Sequence, residues 1–283
     1  KVACGFVCVC IIAFIGSLVF ALNDSGSGRR FEQTNVEAAL LPPSWWALSD
    51  SQKIQMDSLQ QDEHWYSFFG TDQLGRDLFS RCIVGGAISI GIGLFAAFIA
   101  VFVGTMWGAI AGLKGGLVDA SMMRFVDVLY GLPTIMLVVL ISVAANSLTM
   151  QSQSASEGFK EFINIIALFT AIGAVSWLTV SRVIRGQVKS IIGRPSIEAC
   201  KTIGATQTRT FIFHILPALV GPIVVYATLT IPTAILSEAF LSFLGIGVKE
   251  PMPSWGNLAA DGLSQLNPVH SRWWLLFWPC VCI

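Results

Sequence analysis

The side chains able to do chemistry are few and scattered. The only histidines are His64, His214 and His270, and none stands beside a cysteine at metal-ligand spacing. The seven cysteines are Cys4, Cys8, Cys10, Cys82, Cys200, Cys280 and Cys282. Five lie in the terminal apolar runs, where a thiol reads as a small apolar side chain, and no disulfide is assigned. No Gly-x4-Gly-Lys-Ser/Thr run is present, so the chain offers no phosphate cradle of its own. H-E-x-x-H and G-x-S-x-G are also missing, as are the paired carboxylates or Ser/His pair of an intramembrane protease. One carboxylate stands out, Glu238 in SEAFLSFLG. An ionisable group at membrane depth is a functional candidate by default. We read it at the outer end of its apolar run, with its carboxylate reaching water, in a position to line a gate. The most informative polar stretch is EACKTIGATQTRTFIFHILP, Glu198 to Pro217, between two of the most apolar runs. It predicts a short helix, a break at Gly204, and more helix leading to Pro217.

The elements that must carry these residues are set by solvent. Of 283 residues 54% are hydrophobic and 12% charged, with a mean hydropathy of +0.70. Soluble domains carry about 25% charged residues, so this chain cannot clothe itself for water. A formal net charge of +0 gives no bulk electrostatic case for nucleic acid or an acidic partner. The apolar residues fall into blocks matching the about 20 residues of a spanning helix. The blocks are Val2 to Leu22, Ile83 to Leu113, Phe125 through Pro133 to Ala145, Phe162 to Val183, Leu216 to Leu236, and a last one from Trp273 to Ile283. This predicts an all-α membrane protein of six transmembrane helices, the last truncated. The first block is read as a retained span and not a signal peptide. The expected divisions are a first transmembrane helix at 1–22, an extracytoplasmic segment at 23–82, and a transmembrane domain at 83–283 with a cytoplasmic helix at about 195–209. Basic residues of short loops set the orientation. Arg182, Arg185, Lys189, Arg194, Lys201 and Arg209 lie in or just before the Glu198–Pro217 stretch, with Lys114 and Arg124 on the same side. That side, and the N-terminus, are therefore cytoplasmic. Trp45, Trp46, Trp65, Trp273, Trp274 and Trp278 suit an interfacial belt.

Three further features bear on mechanism. The fifth block carries Pro217, Pro222 and Pro232, each of which removes a backbone hydrogen bond and bends a helix. Freed carbonyls in lipid must face protein or a water-filled cavity, so Pro222, Tyr226, Pro232 and Glu238 are candidates to line a pathway. GGLVDASMMRFVDVLYGLP reads as an amphipathic cytoplasmic helix leading into the third block at Pro133, or as a solvated linker. The polar segment ahead of the second block reads as a docking platform, with disorder the alternative for its first half.

The motifs now carry a resemblance. EACKTIG followed by HILP resembles the cytoplasmic signature of bacterial ABC importer permeases: Glu-Ala-Ala, three residues, Gly, nine residues, a variable position, then x-Leu-Pro. Glu198, Ala199, Gly204, Leu216 and Pro217 fall in register, and Cys200, still a small residue, stands where the signature has a second Ala. FGTDQLGRDLFSR and LSFLGIGVKEPMPSWGNLAADG resemble the dipeptide/oligopeptide/nickel branch, in the pattern of its second permease subunit. The resemblance covers the chain from about Phe69 to its end. It implies a type I ABC importer permease fold in the bacterial cytoplasmic (inner) membrane, and a transporter subunit rather than an enzyme. Di- or oligopeptides are the implied cargo, with nickel or another small solute the alternative. It implies no cofactor in this chain, with ATP and Mg bound by two partner ATPase subunits. It also implies a homologous second permease subunit and an extracytoplasmic solute-binding protein. Glu198, Ala199, Cys200, Gly204, Leu216 and Pro217 would couple to the ATPases. Gly70, Thr71, Asp72, Gly75, Arg76 and Asp77 are the extracytoplasmic docking candidates. An ion-driven secondary transporter would need intramembrane carboxylates and an internal repeat, and neither is visible. A scaffold would not need a proline-rich span beside a docking helix.

Overall fold

The computed structural model describes residues 31–46, 67–150, 157–248, 250, 252–266 and 272–283. The first apolar block and the whole 47–66 stretch, Trp65 included, lie outside the described residues. Among the described residues the chain is helical and holds no strand, only one isolated bridge between Thr71 and Asp77. The helices are α1 (Leu78–Lys114), α2 (Gly116–Tyr130), α3 (Thr134–Met150), α4 (Glu157–Ile192), α5 (Pro195–Thr202) and α6 (Gln207–Thr210). A π-helical turn (Phe211–Ile215) leads into α7 (Leu216–Phe243), followed by α8 (Trp255–Ser264) and α9 (Trp274–Cys282).

Three stretches among them are long and apolar enough to cross a membrane: Leu78–Lys114, Ile166–Ile192 and Gln207–Phe243. A fourth crossing exists if α2 and the start of α3 are one span, but the pair is bent by 87°. The expected single run from Phe125 through Pro133 is therefore corrected to two helices. Pro133 has no N–H and drives the residue before it out of helical geometry. Gly131 closes α2 by donating to the Asp127 carbonyl at 3.0 Å, and α3 restarts just after the proline, where its fixed φ suits a helix start. The count of six crossings is not reached among the described residues. The helix expected from Ile83 begins at Leu78 instead, because the Asp77 carboxylate accepts the Ser80 N–H at 3.0 Å and caps it.

The chain divides into two compact units. One comprises Lys1–Ile90 with Glu238–Ile283, the other Gly91–Ser237. The second unit is built on the pairing of α1 with α4. Gly104, Gly108 and Gly112 recur one turn apart on α1, and each meets α4 where a side chain would not fit. A Cβ on Gly108 would stand 2.4 Å from the Ser181 carbonyl oxygen. Small residues at this spacing let two apolar helices approach backbone to backbone, which supplies the dispersion contact that lipid cannot. Around the seam Trp177, Leu178, Val180, Ile184, Val188 and Ile191 of α4 bury against Ala109 and Ala111 of α1. α2 joins through Met123 and Val126.

α7 was expected to be repeatedly broken at its prolines. It is instead one continuous helix through Pro222 and Pro232. Hydroxyls in its last turns bond back to preceding carbonyls: Thr230 to Tyr226 at 2.7 Å, Thr233 to Thr230 at 2.9 Å and Ser237 to Thr233 at 2.8 Å. These local bonds supplement a ladder thinned by proline. Only 11% of its most apolar window is buried, against 50% for the α4 span.

Candidate functional site

The Glu198–Pro217 stretch folds as an elbow on the second unit. Pro195 opens α5, and the Arg194 carbonyl accepts the Ile197 N–H at 2.9 Å. Ile197 is the anchor, 3% exposed and joined to the α4 core beside Val188 and Ile191. Glu198 and Ala199 face outward. The helix ends at Gly204, whose φ is +77°. The Ala205 N–H then reaches back to the Cys200 carbonyl at 3.0 Å, the long return bond of a helix closed by a left-handed residue. A side chain at φ +77° is strained, which is why glycine suits the position. Ile203, just before the turn, is 84% exposed. Thr206 starts the next helix, its hydroxyl accepting the Arg209 N–H at 3.4 Å. The widened π turn follows, with the Leu216 N–H bonding to the Phe211 carbonyl. Pro217 lacks an N–H and its ring would crowd the Phe213 carbonyl, and the wider turn relieves that crowding. Ile215 and Leu219 plug the far side of the elbow into the same core as Ile197. Of the coupling candidates, Glu198, Ala199, Gly204 and Pro217 are exposed, and Cys200 and Leu216 are half-buried.

α2 is held to α4 behind this elbow by charge. The Asp119 side chain is buried and receives Arg185 Nη2 at 2.6 Å and Lys189 Nζ at 2.5 Å. Arg182 bonds Asp127 at 2.8 Å and stacks over the Tyr130 ring. Asp119→Asn is expected to lower stability by about 1–3 kcal/mol, because it leaves two cations facing a neutral group. Thermal unfolding in detergent reads this, and a transition as high as the parent's would show that the clamp is incidental.

The extracytoplasmic docking candidates build the first unit instead of lying open on it. Gly70, Thr71, Asp72, Gly75 and Arg76 are buried, and Asp77 is half-buried. The Thr71 hydroxyl donates to the Ala38 carbonyl at 2.5 Å and accepts the Leu41 N–H at 2.8 Å. Gly75, at φ +71°, lets the Asn35 carbonyl come so close that a Cβ would lie 1.7 Å from it. Asp72 accepts Arg76 Nε at 2.6 Å and is bonded also by the fully buried Arg81, and Arg76 extends to Glu250 at 2.8 Å. Against the opposing effect of burial, the Arg76 hydrogen bond holds the Glu250 carboxyl below its usual range. With Asp261 these residues line a cavity of about 290 Å³. Phe68, Gln73 and Leu74 are the members of this stretch left exposed.

Glu238 corrects the reading that put its carboxylate in water. It is 0% exposed, bonded by the Ser242 hydroxyl at 2.6 Å and the Ser89 hydroxyl at 3.1 Å. Ser89 in turn accepts the Trp255 N–H at 3.3 Å. Of the other pathway candidates, Pro222 and Tyr226 are half-buried and Pro232 is exposed. The tryptophans expected in a belt form a cluster: Trp46 meets Trp273 at 5.1 Å, and Trp45 meets Trp278 at 6.3 Å between ring centres. Trp274 instead is buried in the core.

Long apolar helices joined by short polar turns define a multi-pass helical membrane protein. Residues 104–282 match the family described as "Binding-protein-dependent transport system inner membrane component". This chain belongs to that family, and it is a membrane permease component. It is 39% identical over 237 residues to the oligopeptide transport system permease protein OppC of Bacillus subtilis, covering 83% of this chain and 70% of that protein. It is 42% identical over 212 residues to the OppC of Haemophilus influenzae, covering 75% and 62%. With the dipeptide transport system permease protein DppC of Bacillus subtilis it shares 39% identity over 221 residues, covering 78% and 62%. The chain thus spans between 62% and 70% of the length of these relatives.

Proposed function

We propose that the chain is a transmembrane permease subunit of an ATP-driven importer of di- or oligopeptides. It forms half of the translocation pathway, with a second, homologous permease supplying the other half. The observation that carries this reading is the elbow: α5 is rooted through Ile197 while Glu198, Ala199 and Ile203 are presented outward on a stretch rich in cationic loops. An isoleucine 84% exposed in a polar turn wants an apolar partner surface, and a cytoplasmic ATPase groove provides one. The bare flanks of α7 support the second permease, since a helix carrying two prolines needs protein or water beside it. Closure of the ATPase pair on ATP would push α5, and the continuous run from Thr206 into α7 would carry that push to the pathway. On the other side Phe68, Gln73 and Leu74 offer the surface for a solute-binding protein. The N-terminus lies in the cytoplasm, and ATP and Mg belong to the ATPases. The peptide class rests on the names of the relatives.

A test separates the energy source from the pathway. The purified chain alone is expected to hydrolyse no ATP, and the assembly with its two ATPases to hydrolyse it. Turnover by the isolated chain, freed of contaminating ATPase, would overturn the reading.

A further inference from the structure

Cys82 of α1 and Cys282 of α9 are far apart in sequence, and both lie in the cluster that α8 joins through Leu258. At the start of α8 the Trp255 indole Nε1 donates to the Cys82 carbonyl at 2.8 Å, fixing that turn of α1. Near its end Gly262 lies against the first turn of α9, where an added Cβ would stand 2.4 Å from the Leu275 carbonyl oxygen. α9 therefore has one register on α8. Cys82 is buried in the cluster of Leu78, Leu258, Trp274 and Leu275, and Cys282 packs onto that cluster, half-buried. The two thiols share this one cluster, and both are free. Cys280, on the same helix, is exposed.

We propose that Cys82 and Cys282 form a redox-active thiol pair, a modification site that closes to an intrachain disulfide when a disulfide donor reaches it. The more accessible thiol reacts first. Cys282 loses its proton and its sulfur attacks the donor R–S–S–R, releasing one R–S⁻ and leaving a mixed disulfide. Cys82 then loses its proton and attacks the Cys282 sulfur, forming the S–S bond and expelling the second R–S⁻. The two protons end on the two released thiols, so the donor is reduced by two electrons and the cysteine pair oxidised by two. The bond staples the start of α1 to the end of α9, and a reductant reverses it.

The test uses membranes carrying the full-length chain, treated with dipyridyl disulfide, a donor apolar enough to enter a bilayer. After denaturation, alkylation and digestion, the Cys82 and Cys282 peptides are expected as one linked species, two hydrogens lighter than their sum. Alkylation of both thiols should fall together several-fold, and dithiothreitol should restore it. Cys280→Ser is expected to keep the link. Cys282→Ser and the more apolar Cys282→Ala are both expected to abolish it and leave Cys82 open to alkylation after denaturation. If the two thiols react independently after oxidation, if Cys82 links to Cys280, or if Cys282 holds only the donor fragment, the pair is wrong.

Discussion

Replacing Gly108 with leucine is expected to leave almost no folded chain to extract from the membrane. The reason is local and severe. The Gly108 Cα faces α4 so closely that even one added carbon would lie 2.4 Å from the Ser181 carbonyl oxygen and 3.0 Å from the Arg185 nitrogen. Both are backbone atoms, so no rotamer change clears the space and the helices must part. Parting them strips the dispersion contacts of Trp177, Val180, Ile184 and Val188, which seat the elbow through Ile197. Overpacking of a core site costs about 1–3 kcal/mol and sometimes more, and a leucine wedged between two backbones belongs at the high end. Gly108→Ala should be intermediate. Gly91→Ala on the same helix meets nothing within 4 Å, and should be neutral or stabilising by up to about 1 kcal/mol, since alanine is the better helix former. The readout is monodisperse protein after extraction with its unfolding temperature. Leucine at 108 with parental yield and transition would show that the α1–α4 contact is not the one holding the second unit.

Gly204→Val is expected to abolish ATP-driven uptake while the chain remains in the membrane at its usual level. No neighbour lies within 4 Å of a Cβ at this position, so the effect is one of backbone geometry and not of collision. At φ +77° a side chain costs about 1–2 kcal/mol, and a β-branched one more. The elbow relaxes to another shape, and α5 no longer presents Glu198 and Ile203 at the same angle. A graded series follows: Asn, which tolerates left-handed geometry best after glycine, should retain most activity, Ala less and Val none. Glu198→Lys is the companion. It keeps an exposed side chain of similar reach and reverses its charge, so it should weaken co-purification of the ATPases with the elbow geometry intact. If Gly204→Val and Glu198→Lys both transport at the parental rate, the stretch is an ordinary turn.

Much of this was legible from residue order alone. Uninterrupted apolar length announced α1, α4 and α7, because a helix in lipid needs little more than that. The short helix, break and helix at 195–217 was legible because Gly204 and Pro217 each permit few backbone shapes. The early start of α1 was also readable, since Asp77 followed three residues later by Ser80 is a cap signal. The Gly104–Gly108–Gly112 spacing was equally open to view. Other features depended on the fold. Glu238 looked water-reaching because one of its hydroxyl partners, Ser89, comes from α1, distant in sequence, while only Ser242 lies a turn away on its own helix. The motif around Asp72 looked like a surface because its partners, Asn35, Ala38 and Glu250, are distant in sequence. Their contact appears only once Gly75 lets the backbones meet. The prolines of α7 predicted breaks that local hydroxyl bonds and the wide turn before Pro217 absorb.

The most direct measurement is uptake of a radiolabelled tripeptide into proteoliposomes holding this chain, its permease partner and both ATPases, with the solute-binding protein supplied on the side opposite the ATPases. Uptake is expected only when ATP is on the ATPase side and the binding protein is present. It should be indifferent to an imposed proton or sodium gradient and lost with Gly204→Val. Uptake driven by such a gradient without ATP, or by this chain alone, would contradict the assignment of a pathway worked from outside through the elbow.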